Sequence, residues 1–156
     1  MRRFTDTAGR TWELSVTVGT IKRVRDLVGV DLYRLVDDSF RGLSELMADP
    51  VRLVDVLYCL CQGQAEAAKV TDEQFGQGLA GDVLAQASES FVEALIDFFP
   101  DARSRQNLRA VLEKGKAVRD RLMDLAETRL AGFDPQQAAL SLVKRSSDSA
   151  GNSPAS

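Results

Sequence analysis

The stretch Asp49-Pro50-Val51-Arg52-Leu53-Val54-Asp55-Val56-Leu57-Tyr58-Cys59-Leu60-Cys61 constrains this chain more than any other. Asp49 and Pro50 mark a helix start: a carboxylate to accept from free backbone N–H groups, then a residue whose missing N–H costs nothing at the first helical position. At about 100° per residue, Val51, Leu53, Val54, Val56, Leu57, Tyr58, Leu60 and Cys61 sweep roughly 220° of the circumference. Arg52, Asp55, Cys59 and Gln62 share the remaining strip. A helix apolar over more than half its girth has to be covered from several sides. The stretch is therefore expected to be the central helix of a small domain.

The chain has 156 residues, enough for one domain with a real core. A hydrophobic content of 44% and a charged content of 28% suit a soluble protein. The net charge of −3 argues against a protein whose main task is coating nucleic acid. No apolar run approaches the roughly 20 residues that span a bilayer. Met1-Arg2-Arg3-Phe4-Thr5-Asp6 lacks the apolar core of a secretory signal, so the expected location is the cytoplasm.

There is no histidine, which removes the commonest general base, the Ser-His-Asp and Cys-His arrangements and His-containing zinc sites. The two cysteines, Cys59 and Cys61, diverge by about 200° on one helix and can neither bridge nor share a metal. Both read as reduced structural thiols, Cys61 in the core and Cys59 beside the polar strip.

From the N-terminus, residues 4–18 read as a β-hairpin turning at Thr7-Ala8-Gly9, with Trp12, Leu14 and Val16 on the inward face. A lone ribbon is unstable in water, so it lies on the helices or pairs with another chain. Thr20 is expected to cap a short helix with Ile21, Val24, Leu27 and Val28 inward, and Gly29 to end it. Its outward Lys22, Arg23 and Arg25 read as a solvated face rather than a phosphate site. A second helical stretch carries Leu32, Leu35 and Val36. It breaks at Asp37-Asp38-Ser39 and resumes with Phe40, Leu43, Leu46 and Met47.

After the central helix, Thr71-Asp72-Glu73-Gln74 fits a capping box for a brief helix with Phe75 and Leu79 inward. Gly76, Gly78 and Gly81 have neither the preceding strand nor the Lys-Ser/Thr of a phosphate loop; a close approach or a turn explains them better. Asp82 is expected to cap a helix to Phe99 with Leu84, Ala87, Phe91, Leu95 and Phe98 inward, and Pro100 stops it. Glu93 and Asp97, one turn apart on its polar side, read as a solvated carboxylate pair rather than an acid/base couple.

Residues 101–131 form the longest helical pattern. Leu108, Leu112, Gly115, Val118, Leu122 and Leu125 step by three and four, a narrow near-heptad stripe. Arg103, Arg105, Arg109, Lys114, Lys116, Arg119 and Arg121 crowd the other faces. Such a seam packs either on its own domain or on a partner helix. The candidate partner-binding residues are Leu108, Leu112, Val118, Leu122 and Leu125, and Gly115 would let a helix come close. Gly132 breaks the pattern, and Asp134-Pro135 restarts a short helix bearing Leu140, Leu142 and Val143. The expected organisation is a mainly α domain over 1–132 with its N-terminal hairpin, a short helix over 133–145 and a disordered tail over 146–156.

No nucleophile motif, metal cluster or cofactor loop stands out, so a binding or assembly role is expected rather than an enzyme. Phe4-Thr5-Asp6 with Gly9-Arg10-Thr11-Trp12, Ile21-Lys22-Arg23-Val24-Arg25 with Gly29-Val30-Asp31-Leu32, Asp49-Pro50 with Leu53-Val54-Asp55-Val56-Leu57, and Thr71-Asp72-Glu73-Gln74-Phe75 with Phe98-Phe99-Pro100 form a spaced pattern. That pattern, over residues 4–100, resembles the tail assembly chaperones of siphophage-type phages and prophages. The resemblance implies a protein that binds the tape-measure protein and keeps it soluble, without nucleotide hydrolysis, until tail-tube subunits polymerise around it. The implied partners are the tape-measure protein and the tail-tube protein, with a homo-oligomer left open. Two other classes stay open: a structural virion component such as a connector or tail-completion protein, and a helical DNA-binding regulator.

Overall fold

The computed structural model describes residues 2–132 and 135–150, with the side chains of 138 and 145–150 set aside. The chain is mainly α. Two antiparallel strands, β1 (Arg2–Thr5) and β2 (Thr11–Leu14), precede α1 (Val18–Val28), a 3-10 turn (Leu32–Val36), α2 (Asp37–Ala48), α3 (Pro50–Ala67), α4 (Asp72–Gln77), α5 (Asp82–Phe98), α6 (Ala102–Ala131) and α7 (Pro135–Ala150). It divides into two compact units, residues 1–113 and 114–156. The division falls inside α6 rather than at the Gly132 break.

In the first unit α3 is the hub, packing against β2, α1, α2, α4 and α5. Its start is the expected one: Asp49 Oδ1 accepts from the Arg52 amide at 3.1 Å, and Pro50 opens the helix. Leu53, Val56, Leu57, Leu60 and Cys61 are buried. Cys59 is buried too, not beside a wet strip, because α1 covers that side of the helix: Arg23 Nη1 donates to the Cys59 carbonyl at 3.4 Å. Val51 is exposed at the edge of the apolar arc, beyond Val54 and Tyr58, which are themselves only half-buried.

The hairpin lies on the helices. Phe4 pairs with Trp12 and Arg3 with Glu13 in register. The Arg3 carbonyl and both outward backbone groups of Glu13 are taken by helix side chains, which act as surrogate strands. Ser90 Oγ on α5 donates to the Arg3 carbonyl at 2.9 Å. Gln64 on α3 accepts from the Glu13 amide at 2.9 Å and donates to its carbonyl at 2.8 Å. Between ribbon and helices Phe75 of α4 meets the rings of Trp12, Tyr58 and Phe4 edge-on, at centroid distances of 4.9, 5.5 and 6.5 Å.

The hairpin turn is organised by Asp6, a buried carboxylate with 5% of its surface exposed. It accepts from the amides of Ala8 and Arg10 at 2.9 Å, from Arg10 Nε at 2.7 Å and from Trp12 Nε1 at 2.9 Å. Burial alone would raise this carboxyl, but the donors of Trp12 and Arg10 outweigh it and hold Asp6 below the usual carboxylate range. Gly78 is packed against it. A Cβ there would come within 2.9 Å of Asp6 Oδ2, and the Gly78 carbonyl accepts from the Thr7 amide at 3.0 Å. The close approach expected of the glycine cluster is thus between α4 and the turn of the hairpin.

Several helix ends differ by a residue or a turn from expectation. Thr17, not Thr20, caps α1: its hydroxyl accepts from the Thr20 amide at 3.2 Å, and Thr20 Oγ1 returns to the Thr17 amide at 2.8 Å. A threonine at the third helical position completes a capping box as Glu or Gln would. Leu27 is exposed because it sits about 60° outside the arc of Ile21, Val24 and Val28 that faces α3. The cap of α5 is Gly81, at φ 58° and ψ −129°, with Asp82 as the first helical residue. Only a residue without Cβ takes that conformation readily. The Thr71–Gln74 box and the end of α1 at Gly29 stand as expected. The break at Asp37-Asp38-Ser39 is a left-handed turn, with φ of 49°, 57° and 65° at Asp38, Ser39 and Phe40.

In the second unit α7 runs to Ala150, past the expected end at 145, because no Gly or Pro interrupts the Ser-rich segment before Gly151. Residues 151–156 lie outside the described residues, as do residues 133 and 134 of the expected break and restart.

Candidate partner-binding surface

The candidate surface was read on α6, and its start is firmly held. Asp101 Oδ2 accepts from the Ser104 amide at 2.7 Å, an interaction that draws the Asp101 carboxyl below its ordinary value. Arg105 Nη1 donates to the carbonyls of Phe99 and Pro100 at 3.0 and 2.8 Å, bracing the corner between α5 and α6. One turn on, Leu108 is fully buried in the core of the first unit (0% exposed), and Val111 and Leu112 pack at its margin.

The five predicted residues are therefore not one surface. Leu108 belongs to the core and Leu112 is half-buried against it. Burial removes Leu108 from any partner face: no helix can dock on a side chain that its own domain already encloses. Val118, Leu122 and Leu125, in the second unit, are 58, 61 and 55% exposed. At Gly115, which lies between the two sets in sequence, a Cβ would meet nothing within 4 Å among the described residues. Periodicity alone had also missed Met123 and Leu130, exposed on the same helix, while Leu140 and Val143 on α7 are exposed as well. The available signal for these was local composition. From residue 114 onward the apolar residues are too scattered by charge to close a core.

The other candidate chemistry is occupied by structure. Glu93 and Asp97 are both solvent-accessible, as expected, and share a cation there. Arg2 reaches both, with Nε 2.9 Å from Asp97 Oδ2 and Nη1 3.5 Å from Glu93 Oε2. The hydrogen bond from Arg2 holds the Asp97 carboxyl below its usual range. Cys59 and Cys61 are free and buried, and burial pushes the Cys61 thiol up to about 12, far from thiolate formation at neutral pH. Among the described residues no group of His, Cys, Asp and Glu is placed to hold a metal ion. Of the basic trio on α1, Arg23 is engaged with the Cys59 carbonyl and Arg25 pairs with Asp31 at 2.7 Å, which leaves Lys22 as a thin basis for a phosphate-binding face. Among the described residues no helix is long and apolar enough to cross a membrane.

No family model, no curated protein and no solved structure matches the chain.

Proposed function

We propose that this protein is a phage or prophage tail assembly chaperone that binds the tape-measure protein and keeps it soluble while the tail is built. The observation that carries the reading is the exposed apolar row Val118, Leu122 and Leu125 on a long helix, in a chain whose other unit buries its apolar residues efficiently. A helical client with its own apolar stripe can be covered by such a row and released without chemistry, because helix-on-helix association is reversible. The spaced resemblance over residues 4–100 points to the same role, acting in the host cytoplasm before handing the client to tail-tube subunits.

The reading is tested by co-expressing the chain with the tape-measure protein of the same phage or prophage and measuring how much of that protein stays in the soluble fraction. The expected outcome is a several-fold rise, lost when Val118 and Leu122 are both replaced by Glu. Mass spectrometry of purified particles should find the chain absent; its presence at stoichiometric copy number would replace a chaperone with a structural virion component.

A further inference from the structure

From Val30 to Arg41 the chain has neither Gly nor Pro, and its apolar residues keep one helical register across the break between the 3-10 turn and α2. At about 100° per residue, Leu32, Leu35, Val36, Phe40, Leu43 and Met47 fall within an arc of about 140°, with Asp37 and Asp38 outside it. Such a pattern suits one amphipathic helix over 31–48. The structure instead folds the 3-10 turn back on α2 through three consecutive left-handed residues, Asp38, Ser39 and Phe40. Asp tolerates that conformation, but Ser and the bulky Phe adopt it at a cost.

Contact with the rest of the fold, not local preference, holds this bend. Leu32 and Leu35 are buried, and at Gly42 a Cβ would come within 3.4 Å of Leu35 Cα. In a continuous helix residues 35 and 42 stand about 10 Å apart, so another chain would have to supply that contact. Nor can the bend straighten within one folded copy. Val30 and Leu46 line one groove, whereas a continuous helix separates residues 31 and 46 by about 22 Å. Straightening therefore carries residues 2–36 away from the body they pack on. That segment is transferable. It meets the body through Ser90 on Arg3, Gln64 on Glu13 and Asp97 on Arg2, and a second copy offers the same partners.

We infer that residues 37–40 are the hinge of a domain-swapped dimer, in which residues 2–36 of each copy dock on the body of the other. The contacts between segment and body are kept, and the left-handed residues become turns of a continuous helix. Swapping relieves three unfavourable backbone conformations per copy and costs the entropy of association, so the dimer grows with concentration. The inference concerns the first unit and does not depend on what α6 binds.

The test refolds the full chain from urea at low and at high protein concentration and separates the products by size-exclusion chromatography with light scattering. A dimer is expected at high concentration. Arg2→Cys with Asp97→Cys, joined by a short bismaleimide, identifies it, since the native thiols are buried. In a swapped dimer the link ties two chains together; in any other dimer it stays within one. Denaturing gels of the dimer fraction should therefore show covalent dimers. Asp38→Gly with Ser39→Gly eases the left-handed backbone and weakens the straight helix, and should lower the dimer association constant about tenfold or more. Asp38→Ala with Ser39→Ala should raise it several-fold. Both positions are exposed, so neither pair should change the circular-dichroism spectrum of the monomer. Monomer alone at every concentration, a dimer whose cross-linked chains run singly, or equal dimerisation by the Gly and Ala pairs would each overturn the inference.

Discussion

Residues 2–113 and 114–150 are both largely helical, yet only the first closes a core, even though it leaves Val18, Leu27, Tyr33 and Val51 exposed. The first unit closes a core around α3, α5 and the hairpin, with Val56, Leu57, Phe91 and Leu95 at 0% exposure. The second leaves Val118, Leu122, Leu125 and Leu140 more than half exposed. One helical stripe crosses from one regime to the other: Leu108 and Leu122 have the same spacing rule, and only one of them is buried. The difference teaches that periodicity tells which side of a helix is apolar, while the neighbouring elements decide whether that side is filled.

The largest effect expected from that contrast is at Leu108. Leu108→Glu places a charge in a filled core and should cost more than about 4 kcal/mol, enough to unfold a domain of ordinary marginal stability. Urea denaturation followed by circular dichroism measures it. If the variant keeps its midpoint, Leu108 is not core and the division between the two halves of the stripe fails.

A second test lies wholly inside the closed unit. Asp6→Ala removes the acceptor shared by Trp12, Arg10 and the turn amides and should cost about 3 kcal/mol, as losing one partner of a buried charged pair does. The pH dependence has a definite sign. The Asp6 carboxyl is depressed in the folded state, so its contribution is complete above the unfolded value near 3.9 and is lost as pH falls through the lower folded value. Stability of the parent protein should therefore fall between about pH 5 and pH 2, and Asp6→Asn should flatten that part of the curve. An unchanged slope would show that the hydrogen bonds to Asp6 do not distinguish its charged form.

These features also mark how far the residues could be read unaided. Local signals carried over well: the Asp49-Pro50 start, the Thr71–Gln74 box, Gly29 and the apolar face of α5 each involve residues within a turn or two of one another. What escaped was long-range or chemically degenerate. Nothing in the sequence ties Arg2 to Asp97, 95 residues away, or Gln64 to the backbone of Glu13. Thr17 and Thr20 are both plausible caps three residues apart, and the structure uses them as donor and acceptor of one box. For the candidate surface, the stripe itself was legible but its partition was not, because the burial of Leu108 depends on elements far from it in sequence.

Gly78 offers a smaller effect, at the glycine where an added Cβ would be most crowded among the described residues. Gly78→Ala forces a methyl to within 3 Å of the Asp6 carboxylate, which is held by four donors and has little room to give. A loss of about 1–3 kcal/mol is expected. Gly115→Ala, on the same scale, should stabilise by up to about 1 kcal/mol, since a Cβ there meets nothing and the helix gains a better former. Opposite signs at two glycines would sharpen the contrast between a closed contact and an open one; equal losses would refute it.

The smallest expected stability effect belongs to Leu122, in the middle of the proposed partner row. Leu122 is 61% exposed, so Leu122→Glu removes little buried area and should move the unfolding free energy by no more than about 0.5 kcal/mol. A helix in which Glu replaces Leu also loses little intrinsic propensity. If the unfolding midpoint holds while the solubility of the co-expressed tape-measure protein falls, Leu122 acts on the partner alone. A variant that instead melts early would show that Leu122 is covered within the folded chain. The exposed row would then be another piece of core, and the distinction between the two halves of α6 would disappear with it.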